Sequence, residues 1–221
     1  MGASTSAQPQ AVLAHSSGEG RKWLALEEQN VTGQLVVHRA GRKWAVAWAD
    51  APSSSGGCVH FAATVKSSVG NSGCGIMIGV ASQAGVGGPG VAWMLSLNTA
   101  DSTNLFHLPN ACREEDWSSQ VLEPSLPSFD ELMVAGGRIE VQASAALKTL
   151  RFELRQGGCV KWWTQIRLPL EGTIAACIGL AQGGDCVEVE SIAFELKAVV
   201  APGAAAVAAG AATTWGAGRN S

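Results

Sequence analysis

Glu188 and Glu190 in "VEVES" share one parity of an alternating run, the spacing that sets two carboxylates on one face of a strand. Paired carboxylates are the machinery of glycoside hydrolysis, provided that a cleft raises the pKa of one of them. No acid or aromatic partner beside the pair is evident from the sequence, so an exposed strand face with alternating Glu is the simpler account. The histidines, His15, His38, His60 and His107, lie far apart, and none accompanies a nucleophile motif such as G-x-S-x-G, so they read as structural. "GVGGPG" from Gly85 lacks the Lys-Ser/Thr and the helix of a phosphate loop and reads as a hairpin turn. Six cysteines, at 58, 74, 112, 159, 177 and 186, form no C-x-x-C and no Cys/His knuckle, so a metal site is not expected. The start "MGASTSAQPQ" has no apolar signal-peptide core, which predicts a cytoplasmic setting and reduced thiols, with Cys177 buried in "AACIGL". The "NVT" at Asn30 then reads as a turn. No cofactor and no enzymatic reaction is expected.

Recognition is the remaining chemistry. "GGCVKWWTQIRLP" carries adjacent tryptophans, and successive strand side chains point to opposite faces, so only one of them can enter a given core. Val160, Trp162, Thr164 and Ile166 make one phase; Lys161, Trp163, Gln165 and Arg167 make the polar one. Trp162 is therefore expected inside, leaving Trp163 on the polar face, where a large, stiff ring suits a binding surface. A second candidate contact is "CREEDWSS", in which Glu114, Glu115, Asp116 and Trp117 would suit a partner bearing Lys or Arg beside an apolar group. "MGASTS" also fits the N-myristoylation acceptor, with Gly2 exposed once Met1 is removed; one acyl chain without a basic cluster gives at most weak membrane contact.

The elements that must hold these residues are strands. In "KTLRFELRQGG", Leu150, Phe152 and Leu154 alternate with Arg151, Glu153 and Arg155 before a Gly-Gly turn. "RIEVQAS", "CVHFAATVKS" and "KWAVAWAD" alternate likewise, the last through Trp44, Val46 and Trp48. "GIMIGVA", "VAWMLSL" and "TIAACIGLA" are continuous apolar runs, as in strands covered on both faces. The apolar phase of "VEVESIAFELK" shifts near Ser191, which predicts a bulge. About ten strands with Gly, Ser and Pro turns predict an all-β, antiparallel two-sheet β-sandwich. A long connection, 98–137, interrupts them and is expected to hold one short strand at "NLFHL".

At 221 residues and 47% hydrophobic, the chain can fill one core of ordinary size. Charged residues are 15%, the net charge is −3, and no basic run exceeds a pair, which argues against a nucleic-acid partner. Residues 1–20 are poor in large apolar groups and are expected to form a flexible arm. The sandwich is expected over 21–200 and an Ala/Gly-rich disordered tail over 201–221.

From about Leu35 to Leu196 the chain resembles a SPRY domain, a concanavalin-like β-sandwich. The resemblance is carried, in order, by "GGCVHFAATV", "GIMIGVAS", "VAWMLSL", "GRIEVQASAALKTLRFELRQGG" and "LPLEGTIAACIGL". The chain departs from the family at Ser144 and Ala145, where an acidic residue is usual. The resemblance implies a non-enzymatic module that binds a protein or peptide through loops at one end of the sandwich. A carbohydrate-binding or glycan-hydrolysing concanavalin-like domain is the alternative, with Trp163 as a stacking platform and Glu188 with Glu190 as acids.

Overall fold

A computed structural model describes residues 12–15, 20–29, 33–49, 55–69, 75–83, 89–97, 104–113, 117–123, 138–190 and 192–196. The strands are β1 (Leu13–His15), β2 (Leu24–Gln29), β3 (Gly33–His38), β4 (Arg42–Ala49), β5 (Ser55–Ser67), β6 (Ile76–Gln83), β7 (Pro89–Ser96) and β8 (Asn104–Leu108). They continue with β9 (Ser118–Val121), β10 (Arg138–Ser144), β11 (Thr149–Gln156), β12 (Cys159–Arg167), β13 (Ile174–Gln182), β14 (Cys186–Val189) and β15 (Ala193–Leu196). Among the described residues the single helical turn is α1 (Gly20–Trp23). Two antiparallel sheets form, one in the order β1-β4-β13-β6-β7-β8-β9 and the other β12-β11-β10-β5-β14-β3-β2, with β15 also on β5. The fold is an all-β, two-sheet antiparallel sandwich.

The alternation in β10 and β11 sets the core. Ile139, Val141, Leu150, Phe152 and Leu154 point inward and are buried, facing Ile78, Val80, Trp93 and Leu95 of the opposite sheet. Trp162 joins them at 5% exposure, whereas Trp163 is 52% exposed. Val160 departs from its sequence phase and is 43% exposed. The cause is a register shift: Leu154 pairs with Trp162 but Arg155 pairs with Val160, so Lys161 is an extra residue that turns the end of β12 away from the core.

The continuous apolar runs of β6, β7 and β13 are buried on both sides. Their second face, with Trp44, Val46, Met77, Met94 and Cys177, packs beneath Leu108 and Ala111. This corrects the expectation for β4. Its large residues Trp44 and Val46 turn to this outer cluster, whereas Ala45, Ala47 and Ala49 belong to the main core, as alternate residues of a strand must face opposite sides. The strand expected at "NLFHL" is β8, and β9 follows it within the same long connection.

The arm expected over 1–20 is also corrected in part: Leu13–His15 pairs with β4, and Leu13 is buried in the core. Two hydrogen bonds with the Gln34 side chain, one accepted from the Leu13 amide at 2.7 Å and one donated to its carbonyl at 3.1 Å, supply the backbone partners that make ordering worthwhile. The bulge near Ser191 is present in the pairing with β5: from Val189 to Ala193 the chain advances four residues while β5 advances three, from Ala63 to His60. Ser191 itself, Asn30, Cys74, the "GVGGPG" segment from Gly85 to Gly88 and the 201–221 tail lie outside the described residues.

Gly179 on β13 has a structural requirement. A Cβ there would lie 1.8 Å from the Trp44 ring, whose Nε1–H donates to the Ala111 carbonyl at 2.9 Å and so cannot slide away. Gly179→Ala is therefore expected to lower unfolding stability by about 1–3 kcal/mol, the range for overpacking a filled site, read as a shift in denaturant midpoint. An unchanged midpoint would mean that Trp44 is not held over β13.

Candidate functional site

The polar phase of β10, β11 and β12 covers the outer face of the second sheet. Register brings Ala193, His60, Gln142, Arg151 and Gln165 into one row across β15, β5, β10, β11 and β12. The adjoining row is Ala62, Glu140, Glu153 and Trp163, and beyond it stand Thr64, Arg138 and Arg155.

These charges form a lattice. Arg138 Nε donates to both oxygens of Glu190, at 2.8 and 2.9 Å, and its Nη1 to Glu140. Arg155 Nη2 donates to Glu153 at 2.9 Å, and its guanidinium pairs with Glu140 at 3.1 Å. Arg151 donates to the other oxygen of Glu153. The Arg151 guanidinium also lies 5.0 Å from the Trp163 ring centroid, a cation–π contact. Glu153 is only 6% exposed. Burial pushes its carboxyl up, but the hydrogen bonds from Arg151 and Arg155 outweigh that, and the net shift is downward. The hydrogen bond to Glu190, reinforced by Glu140, likewise raises Arg138 against the opposing effect of burial.

Beside this lattice is an open recess of about 550 Å³, with His60, Gln142, Arg151, Gln165 and Thr149 among its lining and Leu147 at its edge. Leu147 stands on the β10–β11 turn and is 72% exposed. The turn is set by Lys148 in the left-handed region (φ 52°), by the Lys148 amide donating to Ala145 at 3.2 Å and by the Leu147 amide donating to Ser144 Oγ at 3.3 Å. The recess thus joins one end of the sandwich to an open sheet face. It offers planar polar groups flanked by two exposed apolar side chains, Leu147 and Trp163.

Of the residues expected at the site, Trp163 lies here. Trp117 lies on the opposite outer face, edge-on to Trp44 (5.0 Å) and Phe106 (6.0 Å), with its Nε1–H donated to Arg113 at 2.8 Å. The two tryptophans do not share a surface. Glu114, Glu115, Asp116 and Gly2 lie outside the described residues. Glu188 and Glu190 are each held by a cation: Lys66 is 2.7 Å from Glu188, and Arg138 chelates Glu190. His38 is fully buried, with Nε2 2.7 Å from the Lys43 carbonyl and its ring stacked with Trp23, so it is structural. The sequence reading missed the recess. The outward phases of "RIEVQAS", "TLRFELRQ" and "WWTQIR" contain its residues, but only strand adjacency shows that they line one hollow.

The lowered Glu153 carboxyl makes acid sensitivity a test of the lattice. Its stabilisation is complete above the ordinary value of 4.5 and is lost as pH falls from there through the lower native value. Glu153→Gln is expected to cost about 1–2 kcal/mol at neutral pH, below the figure for a fully buried pair because both arginines are about one-third exposed and water screens them. In urea titrations the gap between variant and wild type should narrow from pH 7 to pH 3. A constant gap would show that Glu153 is not ionised in the lattice.

No protein-family model matches the chain, and no curated protein matches it. Solved structures do. A legume lectin-like domain from Entamoeba histolytica aligns over 80% of this chain and 92% of its own, at 12% identity and a TM-score of 0.46. The TRIM65 PSpry domain aligns over 82% and 91%, at 10% identity and a TM-score of 0.48. A human SPRY domain aligns over 75% and 94%, at 14% identity and a TM-score of 0.42. These are domains to which the chain is similar, and its own architecture is the all-β, two-sheet antiparallel sandwich described above.

Proposed function

We propose that this chain is a non-enzymatic interaction module that binds a protein or peptide on the recess beside Trp163, at the β10–β11 end of the sandwich. The observation that carries the reading is the pairing of a half-exposed tryptophan, braced by Arg151, with an adjacent open hollow. A large ring already held in place loses little conformational freedom on binding, and Leu147 supplies a second apolar contact at the other side of the hollow. Gln142 and Gln165 offer both donors and acceptors, which suits peptide backbone.

The same surface supports catalysis poorly. Its carboxylates Glu140, Glu153 and Glu190 are each committed to arginine. Arg151 also occupies space at the Trp163 ring that a stacked sugar would use.

Selection of a displayed peptide library on the purified chain tests the reading. Enriched peptides should lose at least tenfold in affinity for Trp163→Ala and bind Glu188→Gln unchanged. Loss in Trp117→Ala with full retention in Trp163→Ala would move the contact to the other face and overturn the assignment. So would a glycan array in which saccharides bind and no peptide does.

A further inference from the structure

We propose that Asp185 is a proton-controlled latch: at neutral pH it remains the neutral acid, its proton on Oδ2 and directed toward Nδ1 of His38, and its ionisation loosens the junction it closes. The junction lies beyond the end of β5 opposite to the recess, so the inference stands apart from the binding reading. Gly184, at φ 96°, donates its amide to the His38 carbonyl, and the His38 amide donates to the Asp185 carbonyl, both at 2.9 Å. That pattern is a glycine bulge between β3 and β14, and it sets Asp185 opposite His38. Both side chains are fully buried.

Hydrogen-bond accounting locates the proton. His38 Nε2 lies 2.7 Å from the Lys43 carbonyl, and a carbonyl only accepts, so Nε2 carries the ring hydrogen and Nδ1 is left as an acceptor. Asp185 Oδ1 accepts the Val69 amide at 3.0 Å. Oδ2 of Asp185 and Nδ1 of His38 are both buried and have no hydrogen-bond partner. With Asp185 ionised, two acceptors would face a dry interior, and the charge would have no paired cation among the described residues. A buried group in that position neutralises. A proton on Oδ2 removes the charge and turns one of the two acceptors into a donor. Moving it to His38 would instead leave two buried charges, each stripped of water. Burial raises the Asp185 carboxyl above its ordinary value, against hydrogen bonds from Val69, Gln182 and Ser68 and the proximity of His38.

Among the described residues, the groups that face Asp185 are His38 from β3, Ser68 and Val69 beyond β5, Gln182 at the end of β13 and Gly75 before β6, and His38 is the one titratable side chain in that set. Lys66 and Glu188 pair with each other at 2.7 Å on the outward phase of β5 and β14, and the Lys43 ammonium stands 5.9 Å from the centroid of the Trp23 ring. The carboxyl cannot swing out to water, because the turn before it is clamped. Ser67 Oγ donates to the Gly184 carbonyl at 2.7 Å and the Gly183 amide to the Gly41 carbonyl at 2.8 Å, while a Cβ at Gly184 would lie 2.4 Å from Val69. Ionisation is relieved only when these contacts part. The sign is opposite to that of Glu153: with the native value above 3.8, the contribution of Asp185 to stability is full below 3.8 and is lost as pH rises from there through the native value.

The test uses the full chain and Asp185→Asn, whose side-chain amide stays neutral and offers an N–H donor where the proton would be. The infrared spectrum of the wild type at neutral pH is expected to contain the carbonyl band of one protonated carboxyl, absent from Asp185→Asn and lost as pH is raised. Hydrogen exchange at the His38 and Val69 amides, corrected for its intrinsic pH dependence, should quicken at least tenfold once that band is lost. In Asp185→Asn the corrected exchange should not change with pH, and its urea midpoint at neutral pH should be no lower than that of the wild type. An ionised Asp185 in the wild type at neutral pH, read without any variant, overturns the proposal. So does a lower midpoint for Asp185→Asn, or the same pH dependence of exchange in both proteins.

Discussion

A strand that sends Trp162 into the core must send Trp163 the other way, and that geometric constraint governs the whole second sheet. Each inward Leu, Phe or Ile of β10 and β11 fixes an outward Arg, Glu or Gln beside it. Sliding any of these strands by one residue would put guanidinium groups between the layers and bare apolar rings outside, at a cost of many kcal/mol. The outer face is therefore as strongly specified as the core, although little of it is buried. Its ion lattice follows from this, because charges forced onto neighbouring strands settle against opposite partners, as Glu153 does between Arg151 and Arg155.

The two sheets solve different problems. The first is apolar on both sides, and its outer face is capped by the segment carrying Ala111 and Trp117, tied down through Trp44 and its hydrogen bond to the Ala111 carbonyl. That face is occupied by the chain itself. The second sheet keeps its outer face charged and open, with a recess and one exposed tryptophan. With the other side of the sandwich already filled, the second sheet is the face left open for the proposed binding.

Much of this was legible in the residues, because period-two alternation reports burial directly. The split between Trp162 and Trp163, the strand at "NLFHL" and the phase shift near Ser191 all follow from it. Three features did not. In β4 both phases are apolar, so hydrophobicity alone cannot say that the alanines face the core and Trp44 the outer cluster. The Lys161 bulge leaves no mark in composition, since Val160 is as apolar as the pattern asks. The strand at Leu13–His15 is too short to show periodicity and is ordered by Gln34, which lies 21 residues away from Leu13. The recess was hidden for a related reason: His60, Gln142, Arg151 and Gln165 become neighbours only through strand order, which no local pattern encodes.

The inside–outside split of the adjacent tryptophans is most directly read from the stability of two single variants in equilibrium unfolding. Trp162→Ala should cost about 3–5 kcal/mol, as expected for removing a buried ring, and Trp163→Ala less than about 1 kcal/mol. Equal losses, or a greater loss at Trp163, would contradict the register on which the sandwich and its proposed binding face are built.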